Sequence, residues 1–224
     1  MEKESSHKPS RGRLLWALVL ILAWTGVLVL FLKTHGDLSL AELLRYRPQR
    51  PLTAALVMLL LFALKGVDFI LHSGILYAAS GVMFSLPAAL LLNVLGMLLM
   101  SSIPYFVGRS LGQPVLHYVA ERFPRFRVVA NIRSQSQLII AVLIRLAGLP
   151  LAIAGLYMGA AEFRFGRYTV GSLLGLLPSA LCFTVMGMNV SDLSSPAFWI
   201  ALGCHVLIFL LSIGLYALLR RRGK

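Results

Sequence analysis

The chain has few acidic residues and few cysteines. Its 224 residues hold 8 Asp and Glu against 21 Lys and Arg, which gives a formal net charge of +13. Cys182 and Cys204 both stand in apolar runs, and two such cysteines make neither a disulfide framework nor a metal site. We interpret them as small apolar fillers. The sequence also lacks a nucleotide-binding loop, a metal-ligand motif and a nucleophile–base grouping, so we expect no enzyme activity, no metal and no cofactor.

The excess of positive charge requires an explanation of its own. In a soluble chain it would suggest a nucleic-acid partner, but no basic and aromatic nucleic-acid motif accompanies it here. In a membrane protein the same excess marks cytoplasmic flanks that contact anionic lipid. We therefore expect a membrane partner and no nucleic acid.

Long apolar runs dominate the composition. Hydrophobic residues make up 58% of the chain and charged residues 13%, and the mean hydropathy is +0.84. Runs of about 20 apolar residues are long enough to span a bilayer as helices. The sequence predicts an all-α polytopic membrane protein whose spans are 14–32, 87–108, 168–189 and 197–219.

Two further apolar blocks are interrupted. The first block, 52–86, contains Lys65, Asp68 and the glycine-rich stretch "HSGILYAASGVMF", and the second block, 137–161, contains Arg145 and several Gly and Pro residues. Gly and Pro disfavour a continuous helix. We expect the blocks to bend back near 73–81 and 148–155 as re-entrant hairpins, packed against each other because lipid cannot satisfy freed backbone groups.

The distribution of basic residues favours this topology. If neither block crosses the membrane, the cytoplasmic segments hold 15 Lys and Arg and the outer segments hold 4. Both termini and the loop 109–136 are then cytoplasmic, in what we take to be a bacterial inner membrane. Three regions follow: 1–51 with a basic tail, the first span and an external amphipathic linker; 52–190 with the two hairpins; and 191–224 with the last span and a basic tail.

Glycines suggest an internal repeat. One set of three begins in the first block and is spaced by 15 and 12 residues, and another begins in the second block and is spaced by 16 and 12 residues. A lone basic residue, Lys65 or Arg145, precedes each set. In the topology above the two copies enter from opposite faces, as in the inverted repeats of secondary transporters. The alternative is chance, because glycine is common in membrane helices. The two sets are Gly81, Gly96 and Gly108, and Gly159, Gly175 and Gly187.

The ordered motifs of residues 52–190 resemble those of the DedA superfamily, also called VTT-domain or SNARE-associated Golgi proteins. The second family block is matched by Arg145, Pro150, Tyr157, Gly159, Tyr168, Gly171, Gly175 and Pro178. The first is matched by Gly81, Phe84, Gly108, Arg109 and Gly112. The sequence departs from the family pattern at His72-Ser73-Gly74, at Ser85 and at Gly148. The resemblance implies facing re-entrant hairpins and the translocation of phospholipid or polyprenyl phosphate.

The charged residues inside the blocks are the candidate site. Arg145 has no acidic residue within sixteen positions, and a charge at membrane depth usually serves a function. Arg145 either grips a headgroup phosphate or caps carbonyl groups freed by the break. Lys65 and Asp68, three residues apart, either hold the hairpin as a buried pair or relay a proton. His72 either tunes Asp68 or is simply hydrogen-bonded.

Three functions remain open on this evidence. The first is a lipid flippase or scramblase whose headgroup passes between the hairpins. The second is a proton- or ion-coupled transporter of a small solute, although Asp68 is the only acidic residue of the first hairpin, fewer than in the family branches thought to be proton-coupled. The third is a non-transporting scaffold for membrane assembly. With any of these functions the protein could form a homo-oligomer.

Overall fold

The computed structural model describes residues 50–67, 72–122, 136–146 and 150–222. These residues form eight α-helices and no strand, so the all-α prediction is confirmed for them. All eight helices belong to one compact unit within residues 41–224. They are α1 Pro51–Lys65, α2 Ser73–Met83, α3 Leu86–Leu111, α4 Gln113–Arg122, α5 Gln137–Leu146, α6 Leu151–Ala160, α7 Phe165–Met188 and α8 Pro196–Arg222. The predicted span 14–32 and the external linker lie outside the described residues.

Three helices are long and apolar enough to cross a membrane. They are α3, α7 and the Pro196–Gly214 part of α8, which agrees with three of the four predicted spans. At about 1.5 Å per residue, α3 and α7 are about 39 and 36 Å long, and α1, α2, α5 and α6 only about 15–22 Å. The hydrocarbon core of a bilayer is about 30 Å thick, so these four apolar helices are too short to span it upright.

Each apolar block contains two helices. In the first block α1 ends at Lys65 and α2 begins at Ser73, and the stretch from Ser73 to Met83 is one helix, so the bend predicted near 73–81 was wrong in place. In the second block α5 ends at Leu146 and α6 begins after its N-cap Pro150, so the helix boundary lies at the start of the predicted range 148–155, although Gly155 lies inside α6.

Close helix packing explains why this glycine-rich stretch remains helical. A Cβ on Gly81 would lie 2.1 Å from the Thr184 carbonyl oxygen of α7, and one on Gly74 would lie 2.7 Å from the Phe183 ring. The glycines thus allow α2 to approach the backbone of α7, as small residues do between membrane helices. Their role here is contact between helices rather than interruption of a helix.

The glycines near the centres of the long helices α3 and α7 face α1 and α5, respectively. A Cβ on Gly96 would lie 2.3 Å from the Phe62 ring of α1, and one on Gly175 would lie 2.6 Å from the Arg145 Cβ of α5. The first half of the molecule (α1–α3) and the second half (α5–α7) therefore share this contact.

The other four predicted glycines form contacts between the halves. In each case a Cβ would lie 2.0–2.1 Å from a backbone carbonyl oxygen of the partner helix. Helix α2 packs on α7 through two of these contacts, and α6 packs on α3 through the other two, so each half supplies its second helix to the other. The contacts are Gly81 with Thr184, Gly187 with Ala78, Gly108 with Leu156, and Gly159 with Tyr105.

Within each half, the first helix and the long helix run in the same direction. Phe62 lies against Gly96 and Gly66 against Met100, so residue numbers increase in the same direction along α1 and α3. The second half repeats this order between α5 and α7. Its contacts are Ala141 with Gly171 and Arg145 with Gly175.

Between the halves, α3 and α7 run in opposite directions. Asn93 of α3 donates a 2.8 Å hydrogen bond to Thr184 near the end of α7, whereas Tyr105 stacks on Tyr168 near the start of α7, with ring centroids 4.7 Å apart. Helix α2 runs parallel to α7, because Gly74 lies against Phe183 and Gly81 against Thr184 and Met188. Helix α6 runs parallel to α3, because Gly155 lies against Pro104 and Gly159 against Tyr105 and Arg109. It follows that α1 and α2 run in opposite directions, as do α5 and α6.

Helix α8 packs on α7 beside an open apolar groove of about 320 Å³. Cys182 of α7 and Cys204 of α8 both line this groove, and both are free thiols. Cys182 is buried, as a small apolar filler is, whereas Cys204 is exposed, so that interpretation was wrong for Cys204. Helix α4, in the predicted amphipathic segment, buries Val119 and exposes His117 and Tyr118.

Candidate functional site

Arg145, near the C-terminal end of α5, is 6% exposed and bonded to three groups. Its Nε donates to the Ser172 hydroxyl at 3.2 Å, its Nη1 donates to the Leu151 carbonyl at 3.0 Å, and its Nη2 donates to the Tyr168 hydroxyl at 2.9 Å. The Leu151 bond joins the two sides of the break between α5 and α6. Arg145 thus bonds a carbonyl beside the break, but Leu151 lies in the first turn of α6, where carbonyls are bonded within the helix, so the capping of a freed carbonyl stays a prediction.

These bonds leave part of the guanidinium available within the described residues. Arginine has five N–H donors in a planar fork, and the three bonds above use one on each nitrogen. One N–H on Nη1 and one on Nη2 remain, and guanidinium donors suit the oxygens of a phosphate or carboxylate. Arg145 can therefore hold the break together and still bind an anion.

Tyr168 connects this arginine to α3. Its hydroxyl accepts the Arg145 bond and donates to the Ser101 carbonyl of α3 at 2.7 Å. The Tyr105 ring stacks on Tyr168, and the Tyr105 hydroxyl donates to the Phe163 carbonyl. Since these hydroxyl and ring contacts are buried, the network fixes the position of the guanidinium between α3, α5 and α7.

Lys65, the other predicted basic residue, is the last residue of α1 and is 6% exposed. It takes part in an interaction with its surroundings. Asp68 lies outside the described residues, so its pairing with Lys65 stays a prediction.

Both breaks lie at the middle of the long helices. Gly66, which follows Lys65, contacts Met100, and Arg145 contacts Gly175. Each contact is within about 3 Å, along the helix axis, of the centre of α3 or α7. The structure thus places the two buried basic residues at similar depth, next to breaks of opposite halves.

His72 caps a helix. Its Nδ1 accepts a 3.1 Å hydrogen bond from the Gly74 amide at the start of α2. Its ring lies edge-on to Phe183, with centroids 5.6 Å apart, and Phe183 also contacts His205 of α8 at 4.4 Å. The simply hydrogen-bonded alternative for His72 is therefore present, and its place in an ion pathway stays a prediction.

The N-terminus of α6 adds positive potential beside Arg145. The helix begins after Pro150, and no side chain of the described residues caps its first amide groups. Unpaired amide groups and the helix dipole make such an end attractive to anions. Together with the guanidinium bound to Leu151, it forms a cationic corner at the second break.

The remaining predicted hairpin residues shape this region. Gly81, Gly159 and Gly175 make the close contacts described above. Phe84 is the C-cap of α2, Tyr157 is half-buried against the core around Tyr105 and Tyr168, and Pro178 lies inside α7.

Sequence reasoning missed Ser172 and Ser101, and it treated Tyr168 only as a motif match. A signal for two of them was present, because Tyr168, Ser172 and Gly175 are spaced by four and three residues, which places them on one face of a helix. Ser101 contributes a backbone carbonyl, for which a sequence carries no signal. In the described part of the chain, no group of three or more His, Cys, Asp or Glu could hold a metal.

Comparison with known proteins adds one finding. No curated protein and no solved structure matches the chain. The model of the VTT domain matches residues 71–189, more than half of the sequence, and this range covers α2 to α7 with Arg145 and its partners. The chain therefore belongs to the VTT-domain family, the family of DedA and SNARE-associated Golgi proteins.

Proposed function

We propose that this protein moves a lipid with a phosphate-bearing headgroup, a phospholipid or a polyprenyl phosphate, from one leaflet to the other. The observation that carries the proposal is the buried Arg145, which keeps two N–H donors beside the uncapped start of α6 at mid-length of the long helices. A charge at this depth costs about 2.5–3.5 kcal/mol on insertion scales. The bonds to Ser172, Leu151 and Tyr168 offset part of that cost, and the remaining donors favour an anionic cargo.

We further propose that the two blocks are re-entrant hairpins of an inverted repeat. The opposite directions of α1 and α2, and of α5 and α6, support this topology, as do the short lengths of these helices and the matching glycine contacts. Discontinuous helices that meet near the bilayer midplane are the usual sites of secondary transporters. A headgroup could cross at the breaks while its tails stay in lipid, without nucleotide hydrolysis.

The proposal is tested by reconstitution. Liposomes containing the purified protein receive labelled lipids that carry a phosphate headgroup or, as the matched control, a neutral glycosyl headgroup on the same tails. We expect the phosphate lipid to change leaflets faster than in protein-free liposomes and the neutral lipid to remain close to background. Uptake of a small solute without lipid movement would instead favour the secondary transporter, and movement of neither would favour the scaffold.

The topology has a separate test. We expect both termini and the loop 109–136 to face the cytoplasm of a bacterial cell, because these segments carry most of the positive charge. Single cysteines at Arg122 and Lys224, in a background with Cys182→Ala and Cys204→Ala, should resist an impermeant thiol reagent in intact cells and react after permeabilisation. Labelling of either in intact cells would contradict the topology.

A further inference from the structure

A buried tyrosine near the breaks has an unpaired hydroxyl. Tyr77, in the middle of α2, is 1% exposed, and its hydroxyl has no hydrogen-bond partner among the described residues. Ser73, one turn earlier, faces it without completing a bond of normal geometry. An unpaired buried hydroxyl destabilises a fold, whereas a phenylalanine would fill the same space without that cost.

The surroundings of Tyr77 join the two breaks. Its ring packs on Phe62 of α1, with centroids 5.7 Å apart. The same apolar cluster is contacted by Leu151, the first residue of α6, whose carbonyl accepts the Arg145 bond. Tyr77 of one half therefore lies in a cluster that also contacts the residue bonded to the arginine of the other half.

We infer that the Tyr77 hydroxyl donates a hydrogen bond to a phosphate oxygen of the cargo, opposite the two remaining N–H donors of Arg145. This inference rests on the proposed function and names a further recognition residue for it. The apolar cluster accounts for the missing partner, because no acceptor from the described residues reaches the hydroxyl. A phosphate oxygen would supply that acceptor, and the bond would be strengthened by the charge of the anion.

Tyr77→Phe separates this role from a structural one. We expect the variant to melt at the same temperature as the parent or higher, because it loses only an unsatisfied group, and to move the phosphate lipid about tenfold more slowly, because it loses one bond to an anion. The matched variant is Tyr168→Phe, whose hydroxyl is bonded on both sides. It should melt at a lower temperature and also lose translocation.

A binding measurement keeps the inference separate from the transport proposal. Short-chain phosphatidic acid should raise the melting temperature of the detergent-solubilised parent, diacylglycerol of the same chain length should not, and Tyr77→Phe should remove the shift. Inorganic phosphate is the third arm, and an equal shift with it assigns the site to free phosphate. If the parent shows the shift but moves no lipid, the proposed function fails and Tyr77 stands as an anion ligand. An unchanged shift in Tyr77→Phe, or a lower melting temperature of that variant without ligand, would overturn the inference.

Discussion

Arg145→Ala should abolish lipid translocation in liposomes. The substitution removes both remaining donors for the phosphate and also the three bonds to Ser172, Leu151 and Tyr168. We expect the rate to fall to that of protein-free liposomes and the free energy of unfolding to fall by about 1–3 kcal/mol, because buried partners are left unsatisfied. Arg145→Lys keeps the charge but loses the planar fork, so translocation should fall while expression is preserved.

Two control variants distinguish cargo binding from stabilisation of the break. Arg167→Ala removes an exposed arginine near the start of α7 and should change neither lipid translocation nor stability. Ser172→Ala removes one partner of Arg145 but leaves its remaining donors, so it should lower stability and largely retain translocation. The comparison uses equal amounts of folded protein. If Arg145→Ala moves lipid as fast as the parent, Arg145 is a structural cap and the headgroup site is wrong.

Substitution of Gly187 or Gly159 by valine should prevent folding. Even a Cβ at these positions would lie 2.0 Å from a carbonyl oxygen of the facing helix, far inside normal contact distance. Backbone atoms cannot rotate away as a side chain can, so the cost should exceed the roughly 1–3 kcal/mol typical of overpacking. We expect almost no monodisperse protein in size-exclusion chromatography after solubilisation.

Gly203→Val provides the control for these substitutions. Gly203 also lies inside a long apolar helix, but a Cβ there meets no atom of the described residues within 4 Å. This variant should yield folded protein close to the parent level. A normal yield of Gly187→Val would mean that α2 and α7 are not packed through this glycine.

The sequence predicted the long helices well because run length and apolarity alone define them. Segments 87–108, 168–189 and 197–219 agree with α3, α7 and α8. Pro150 stands at a helix start, a position that suits proline better than a helix interior does. Pro178, by contrast, lies inside α7.

The sequence did not reveal how the glycines would be used. A glycine in an apolar run either interrupts a helix or admits a neighbouring backbone, and only the packed partner decides between the two. Gly74 and Gly81 were interpreted as a bend, but Phe183 and Thr184, about a hundred residues later, make them contact points. The partners of Arg145 were hidden for the same reason, because Tyr168 and Ser172 are 23 and 27 residues away in sequence.

The exchange of α2 and α6 between the halves has a consequence for how such a chain could have arisen. Gly81 of α2 and Gly159 of α6 each pack on the long helix of the other half, so neither half alone covers them. Under the proposed inverted repeat, a half-length ancestor would have needed a second copy of itself in the opposite orientation to be stable. Gene fusion would then have joined two halves that each need the other for packing. Separately expressed halves of this protein should therefore assemble only when they are made together.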